Sequence, residues 1–98
     1  MSLALTQQSP NQWLLKGEVN VNTITAIIEP GYKMIDALAA GQTLTLDLSG
    51  VGQADSASVA LLIDWLRYAK KGKKSIVFSN LPAKMRDIIN VSNLQGIL

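Results

Sequence analysis

Thr43-Leu44-Thr45-Leu46-Asp47-Leu48 alternates strictly between apolar and polar residues. Successive strand side chains point to opposite faces, so the three leucines share one face and Thr43, Thr45 and Asp47 the other. A strand of this kind belongs to a sheet covered on one side only. A strand with helices on both faces would read as a continuous apolar run. Ser49-Gly50-Val51-Gly52-Gln53-Ala54 reads as the loop leaving this strand, and Val59 to Lys71 as the helix that follows. After Gly72, Ser75-Ile76-Val77-Phe78-Ser79 reads as a short strand. The crossover helix between the two strands makes them parallel.

The remaining segments complete the order. Leu3 to Gln7 and Gln12 to Glu18 read as two strands, with turn chemistry at Ser9-Pro10-Asn11, which predicts an antiparallel hairpin. Trp13 and Leu15 share one face of it and Leu14 takes the other. Between Asn22 and Ala40, Ile24, Ile27, Ile28, Gly31, Met34, Ile35 and Leu38 fall at helical spacing. Asn22 or Thr23 is the expected cap, and Gly41 the expected residue past the end. Pro30-Gly31 predicts a kink near Glu29 or two short helices in tandem. Asn80-Leu81-Pro82 opens a last helix with Leu81, Met85, Ile88 and Ile89 on its buried face, ending near Ser92-Asn93. Leu94, Ile97 and Leu98 are expected to return to the core. The order β-β-α-β-α-β-α describes a small α/β domain over residues 1–98, with a mixed sheet and helices packed on one face.

The absence of cysteine and histidine bounds the chemistry. It removes disulfides, most zinc sites and every Ser-His or Cys-His nucleophile. Asp47 and Asp55 are the pair to weigh as acids, and no third ligand cluster accompanies them. Asp47 reads as a solvent-face residue and Asp55 as a loop-organising one. Gly50-Val51-Gly52 lacks the third glycine of a dinucleotide loop, and no P-loop lysine follows. The expectation is no enzyme, no metal and no cofactor. The N-terminus lacks a basic region followed by a long apolar core, and no run reaches the length of a membrane span, so a soluble intracellular domain is expected.

The net charge of +2 conceals an asymmetry: residues 1–66 sum to −4 and residues 67–98 to +6. Lys70-Lys71-Gly72-Lys73-Lys74 supplies much of the second figure. Cations at a helix C-terminus complement its dipole, and no aromatic residues interleave the lysines as a nucleic-acid platform requires. Nucleic acid is therefore not an expected partner; anionic lipid headgroups or an acidic partner stay open.

The helix over Ser58–Lys71 carries two apolar stripes. Val59, Leu62, Ile63, Leu66 and Ala69 form the core stripe. Leu61, Trp65 and Tyr68 form a second, which either packs on a neighbouring helix or anchors a partner. At the helix start, Asp55-Ser56-Ala57-Ser58 places two hydroxyls beside a carboxylate. Ser56 or Ser58 can serve as an N-cap, and a phosphoryl group on the spare hydroxyl would sit at the positive helix end.

Leu46-Asp47-Leu48-Ser49, the short loop, Asp55-Ser56-Ala57-Ser58 and the apolar helix resemble the STAS domain (sulphate transporter and anti-sigma factor antagonist), whose element order the whole chain shares. Three further stretches resemble the stand-alone STAS subunit of the Mla phospholipid-transport ABC system of Gram-negative bacteria. They are Ala60-Leu61-Leu62 with Tyr68-Ala69-Lys70-Lys71-Gly72, then Phe78-Ser79-Asn80-Leu81-Pro82, then Val91 to Leu98. The resemblance implies a non-catalytic binding module, cytoplasmic and peripheral to the inner membrane, docked on the ABC transporter ATPase within a permease complex. The contacts it implies come from Asp55, Ser56, Ser58, Leu61, Trp65 and Tyr68. Ser56 matches the hydroxyl of the family's Asp-Ser/Thr-x-Gly signature, the regulatory phosphoacceptor position of anti-sigma factor antagonists. Ser58 stands where that signature has glycine, and its added bulk and capping capacity count against a phosphoswitch. The alternative implied function is an anti-sigma factor antagonist whose partner is a serine kinase.

Overall fold

Among the described residues of the computed structural model, seven elements follow one another: β1 (Ala4–Ser9), β2 (Gln12–Val19), α1 (Thr25–Asp36), β3 (Thr43–Ala54), α2 (Ser56–Lys71), β4 (Ser75–Ser79) and α3 (Ala83–Val91). The structure describes residues 3–91, without the side chains of residues 53, 54 and 89–91. The sheet is mixed, in the order β1-β2-β3-β4. β1 and β2 are an antiparallel hairpin, while β2–β3 and β3–β4 are parallel pairs. Leu15 and Val19 of β2, Leu44, Leu46 and Leu48 of β3 and Ile76 of β4 are buried together. Lys16, Thr43 and Val77, on the alternate positions, are exposed. The alternation thus places the core on one side of the sheet, and α2 lies among α1, α3 and β4 there.

β3 runs past the expected end at Leu48 to Ala54. The segment read as a loop is the parallel partner of the end of β2: Lys16 pairs with Gly50, Gly17 with Val51 and Val19 with Ala54. Register shifts between Leu14 and Lys16 and between Gly17 and Val19 break the period of two. Gly50 makes the first shift feasible, because a Cβ there would stand 3.0 Å from the Leu15 carbonyl oxygen.

α1 is also shorter and simpler than expected. It starts at Thr25, with Ile24 as N-cap and no side-chain cap, rather than at Asn22 or Thr23. It ends at Asp36, and Gly41 lies beyond it, in the turn before β3, donating its N–H to the Lys73 carbonyl at 2.8 Å. The helix is continuous through Pro30-Gly31. Pro30 is exposed and deletes one backbone donor, whereas Gly31 is buried. A Cβ on Gly31 would lie 2.1 Å from the Trp65 ring. Glycine here is therefore not a helix stop; it is the recess that receives an indole from α2.

α2 shows why two apolar stripes sit on one helix. Val59, Leu62 and Ala69 of the first stripe are buried, and Leu61 and Trp65 of the second are buried as well. Trp65 is fully buried and its Nε1 has no hydrogen-bond partner among the described residues. The helix closes at Gly72, but the left-handed residue is the next one, Lys73 (φ 59°). Lys73 N–H bonds the Lys70 carbonyl and Lys74 N–H the Ala69 carbonyl, the paired closure of a Schellman turn. Lys74 then reaches back to α1, donating from Nζ to the Ile35 carbonyl at 2.9 Å. In α3, Met85 is fully buried and Leu81 and Ile88 are half-buried around it. The expected return of Leu94, Ile97 and Leu98 and the helix end near Ser92-Asn93 lie outside the described residues.

Gly31→Ala should destabilise the fold by about 1–3 kcal/mol, because a rigid buried ring blocks the added methyl. Urea unfolding checks this, and Ala26→Gly on the exposed face of the same helix should cost only the helix-propensity difference of about 1 kcal/mol. Lys73→Gly should instead raise the unfolding free energy by about 0.5 kcal/mol, read as a higher urea midpoint, the relieved left-handed backbone outweighing the added freedom of the unfolded chain.

Candidate functional site

β2 and β3 run parallel and end side by side, with Val19 opposite Ala54. In open α/β sheets the carboxyl ends of such strands are where ligands and partners meet the fold. The chain leaving β2 turns tightly there. Thr23 Oγ1 donates to the Glu18 carbonyl at 2.7 Å and accepts from Asn20 N–H at 3.1 Å, and Asn20 Oδ1 accepts from Asn22 N–H at 2.8 Å. This turn leaves Val21 69% exposed, one of the two large apolar side chains so placed among the described residues.

The chain leaving β3 enters α2 directly. Asp55 is extended and is the N-cap: its Oδ1 accepts from Ala57 N–H at 3.0 Å. The cap is thus the carboxylate rather than either serine. Ser56 is the first helical residue and is exposed. Ser58 is fully buried, and its Oγ donates to the Asp55 carbonyl at 2.5 Å.

These placements divide the six residues expected at a partner interface. Asp55 and Ser56 come together at the sheet's carboxyl edge, the edge from which the turn carrying Val21 also leaves. Ser58, Leu61 and Trp65 are interior, at 0%, 3% and 0% exposure, and their side chains cannot touch a partner on this structure. The reason is α1, which lies against α2 and covers the second stripe. Tyr68 is half-buried and sits about 18 Å along the helix from Ser56, at the helical rise per residue. Val21 escaped the sequence reading because a single valine between two asparagines has neither strand nor helix periodicity.

Asp47 stands apart from Asp55. The strand from Leu48 to Ala54 separates them, on the order of 20 Å of extended chain. Asp47 Oδ1 accepts from Asn80 Nδ2 at 3.0 Å and from Ser49 N–H at 2.8 Å. The Asn80 bond, followed by the Ser49 backbone bond, holds its carboxyl below the usual carboxylate range. Asn80 is left-handed (φ 56°), so Asp47 organises the exit of β4. No group of three or more His, Cys, Asp and Glu that could hold a metal exists among the described residues. No helix among them is long and apolar enough to cross a membrane.

A family model described as "Mlab, STAS domain" matches residues 14–98. The chain belongs to the STAS domain family. The fold agrees. A chain of the Acinetobacter MlaFEDB complex, in an ATP-bound conformation, superposes with a TM-score of 0.81 at 22% identity, over 95% of this chain and 94% of that one. Phosphorylated SpoIIAA, the Bacillus cell fate determinant, gives 0.71 at 17% identity over 97% and 86%. The anti-sigma factor antagonist SpoIIAA in its unphosphorylated form gives 0.73 at 16% over 97% and 84%. No curated protein matches.

Two substitutions test the local chemistry of this STAS domain. Asp55→Ala should cost about 1 kcal/mol of stability through loss of the cap. Asp47→Ala should cost stability at neutral pH, with a gap that narrows in acid. A lowered carboxyl pKa contributes fully above its unfolded value and is lost as the pH falls through the folded one. Urea unfolding at several pH values reads both.

Proposed function

We propose that this STAS domain, over residues 1–98, is a non-catalytic accessory subunit of an Mla-type phospholipid-transport ABC complex. It binds the cytoplasmic ATPase and supports the complex's assembly or activity, which holds it at the inner membrane without a span of its own. The observation that carries the reading is the match of residues 14–98 to the Mlab-type STAS model. The likeness in fold to a chain of the MlaFEDB complex supports it.

In this reading the carboxyl edge of the sheet is the docking surface. Val21 supplies exposed apolar area, Ser56 an exposed hydroxyl, and Asp55 a carboxylate already committed to its own helix. Apolar anchors ringed by polar groups are how interfaces concentrate affinity. Leu61 and Trp65 contribute by holding α2 in place.

A second reading, an anti-sigma factor antagonist switched by a serine kinase, is favoured by one observation. Ser56, at the family's phosphoacceptor position, is exposed at a helix N-terminus, and Ser58 is turned inward.

Affinity purification of the tagged protein from detergent-solubilised membranes of its own host separates the two. The expected result is recovery of an ABC ATPase with its permease, reduced about tenfold by Ser56→Glu and by Val21→Glu, since charge at a docking surface costs of the order of 1.4 kcal/mol or more. Recovery of a serine kinase without transporter components, with Ser56 phosphorylated by peptide mapping, would replace the first reading by the second.

A further inference from the structure

A second surface lies at the other end of α2. Tyr32 and Asp36 on α1 face Asp64 and Tyr68 on α2, and the two pairs cross. The Tyr32 hydroxyl donates to Asp64, and the Tyr68 hydroxyl donates to Asp36 at 2.8 Å. The two rings stack with centroids 4.3 Å apart at 27°. Each ring is therefore held at its face by the other and at its tip by a carboxylate. Hydrogen bonding to the aspartates also raises both tyrosine pKa values, which keeps the hydroxyls as donors.

This fixed aromatic pair lines an open groove of about 570 Å³, together with Asp64, Arg67, Lys70 and Lys71. Three cations line it against two carboxylates, Asp64 in the groove and Asp36 at the tip of Tyr68, and each carboxylate already accepts from a tyrosine hydroxyl. Lys74, close by, is spent on the end of α1. Lys70 and Lys71 complement the negative end of α2, but Arg67 lies a turn earlier and a dipole alone does not require it.

We propose that this groove is a docking surface for an acidic segment of a protein partner, separate from the carboxyl-edge surface. The excess of cations over carboxylates gives the charge complementarity, and Tyr and Arg are the residues that interfaces favour. Pinned rings lose little entropy on contact. A bilayer fits less well. The cations line a trough rather than ringing an apolar tip, and the exposed large apolar side chains among the described residues, Val21 and Val77, do not line it.

The test uses the intact chain and amide chemical-shift mapping with a short peptide of Glu-Leu-Asp repeats. The expected shifts concentrate on Tyr32, Arg67, Tyr68, Lys70 and Lys71. Affinity should fall about tenfold in the Lys70→Glu/Lys71→Glu variant and stay unchanged in Lys84→Glu on α3. Thermal unfolding confirms that both variants are folded. Shifts spread evenly over Lys16, Lys33 and Lys84 would overturn the proposal, as would full binding by the double variant. So would an absence of groove shifts with peptide alongside binding to phosphatidylglycerol vesicles that the double variant loses, which would assign the groove to a membrane surface.

Discussion

The contact between Trp65 and Gly31 sets the distance between α1 and α2, and most of the structure's surface chemistry depends on that distance. With no side chain on Gly31, the indole lies directly against the α1 backbone. The helices then run parallel in one register: Tyr32 meets Asp64 and Asp36 meets Tyr68. A wider spacing would part both hydrogen bonds and unstack the rings together, since all four residues sit on the same two helices. The indole N–H goes without an acceptor among the described residues, a cost of about 1–3 kcal/mol. Burial of an aromatic side chain of this size offsets it. Shape rather than hydrogen bonding selects tryptophan at this position.

The sequence was legible wherever one period ran uninterrupted. The Leu44/Leu46/Leu48 alternation gave both the strand and its one-sided burial, and the apolar spacing from Val59 gave α2. It failed where two constraints acted on the same residues. Residues 49–54 pair with β2 through shifted register, so their pattern lost the period of two and looked like a loop. Pro30-Gly31 carries the local signature of a broken helix, yet the tertiary contact uses the glycine and leaves the proline in solvent. Gly41 carries the signature of a helix end, yet α1 stops earlier, at Asp36, and the glycine serves the turn before β3 instead. The candidate site was half legible for the same reason. Asp55 and Ser56 follow from their position at a strand-to-helix hand-over. The burial of Leu61 and Trp65 depends on α1, whose own course the sequence left open.

α2 therefore separates two kinds of surface. Its N-terminal end carries the Asp55 carboxylate and the exposed Ser56 hydroxyl; its C-terminal end is basic and aromatic. The charge asymmetry along the chain maps onto this helix, with Asp55 and Asp64 before Arg67, and Lys70 and Lys71 after it. A surface meeting only one end meets one chemistry.

The serine at position 58 bears on what Ser56 can do. Its hydroxyl and its backbone N–H both bond the Asp55 carbonyl, while the Asp55 carboxylate takes the Ala57 N–H. The Ala57 and Ser58 donors of the first turn are thus satisfied before any ligand arrives. A phosphoryl group on Ser56 would find few free N–H groups to hold it and a carboxylate beside it. It would not reorganise the helix end. It would act by charge, repelling an acidic partner and desolvating poorly against an apolar one such as a surface seated on Val21. Ser58 itself is turned inward, fully buried with its hydroxyl on the Asp55 carbonyl. Both proposed readings therefore turn on one physical property of Ser56: it is an exposed hydroxyl at the start of α2, beside the Asp55 carboxylate.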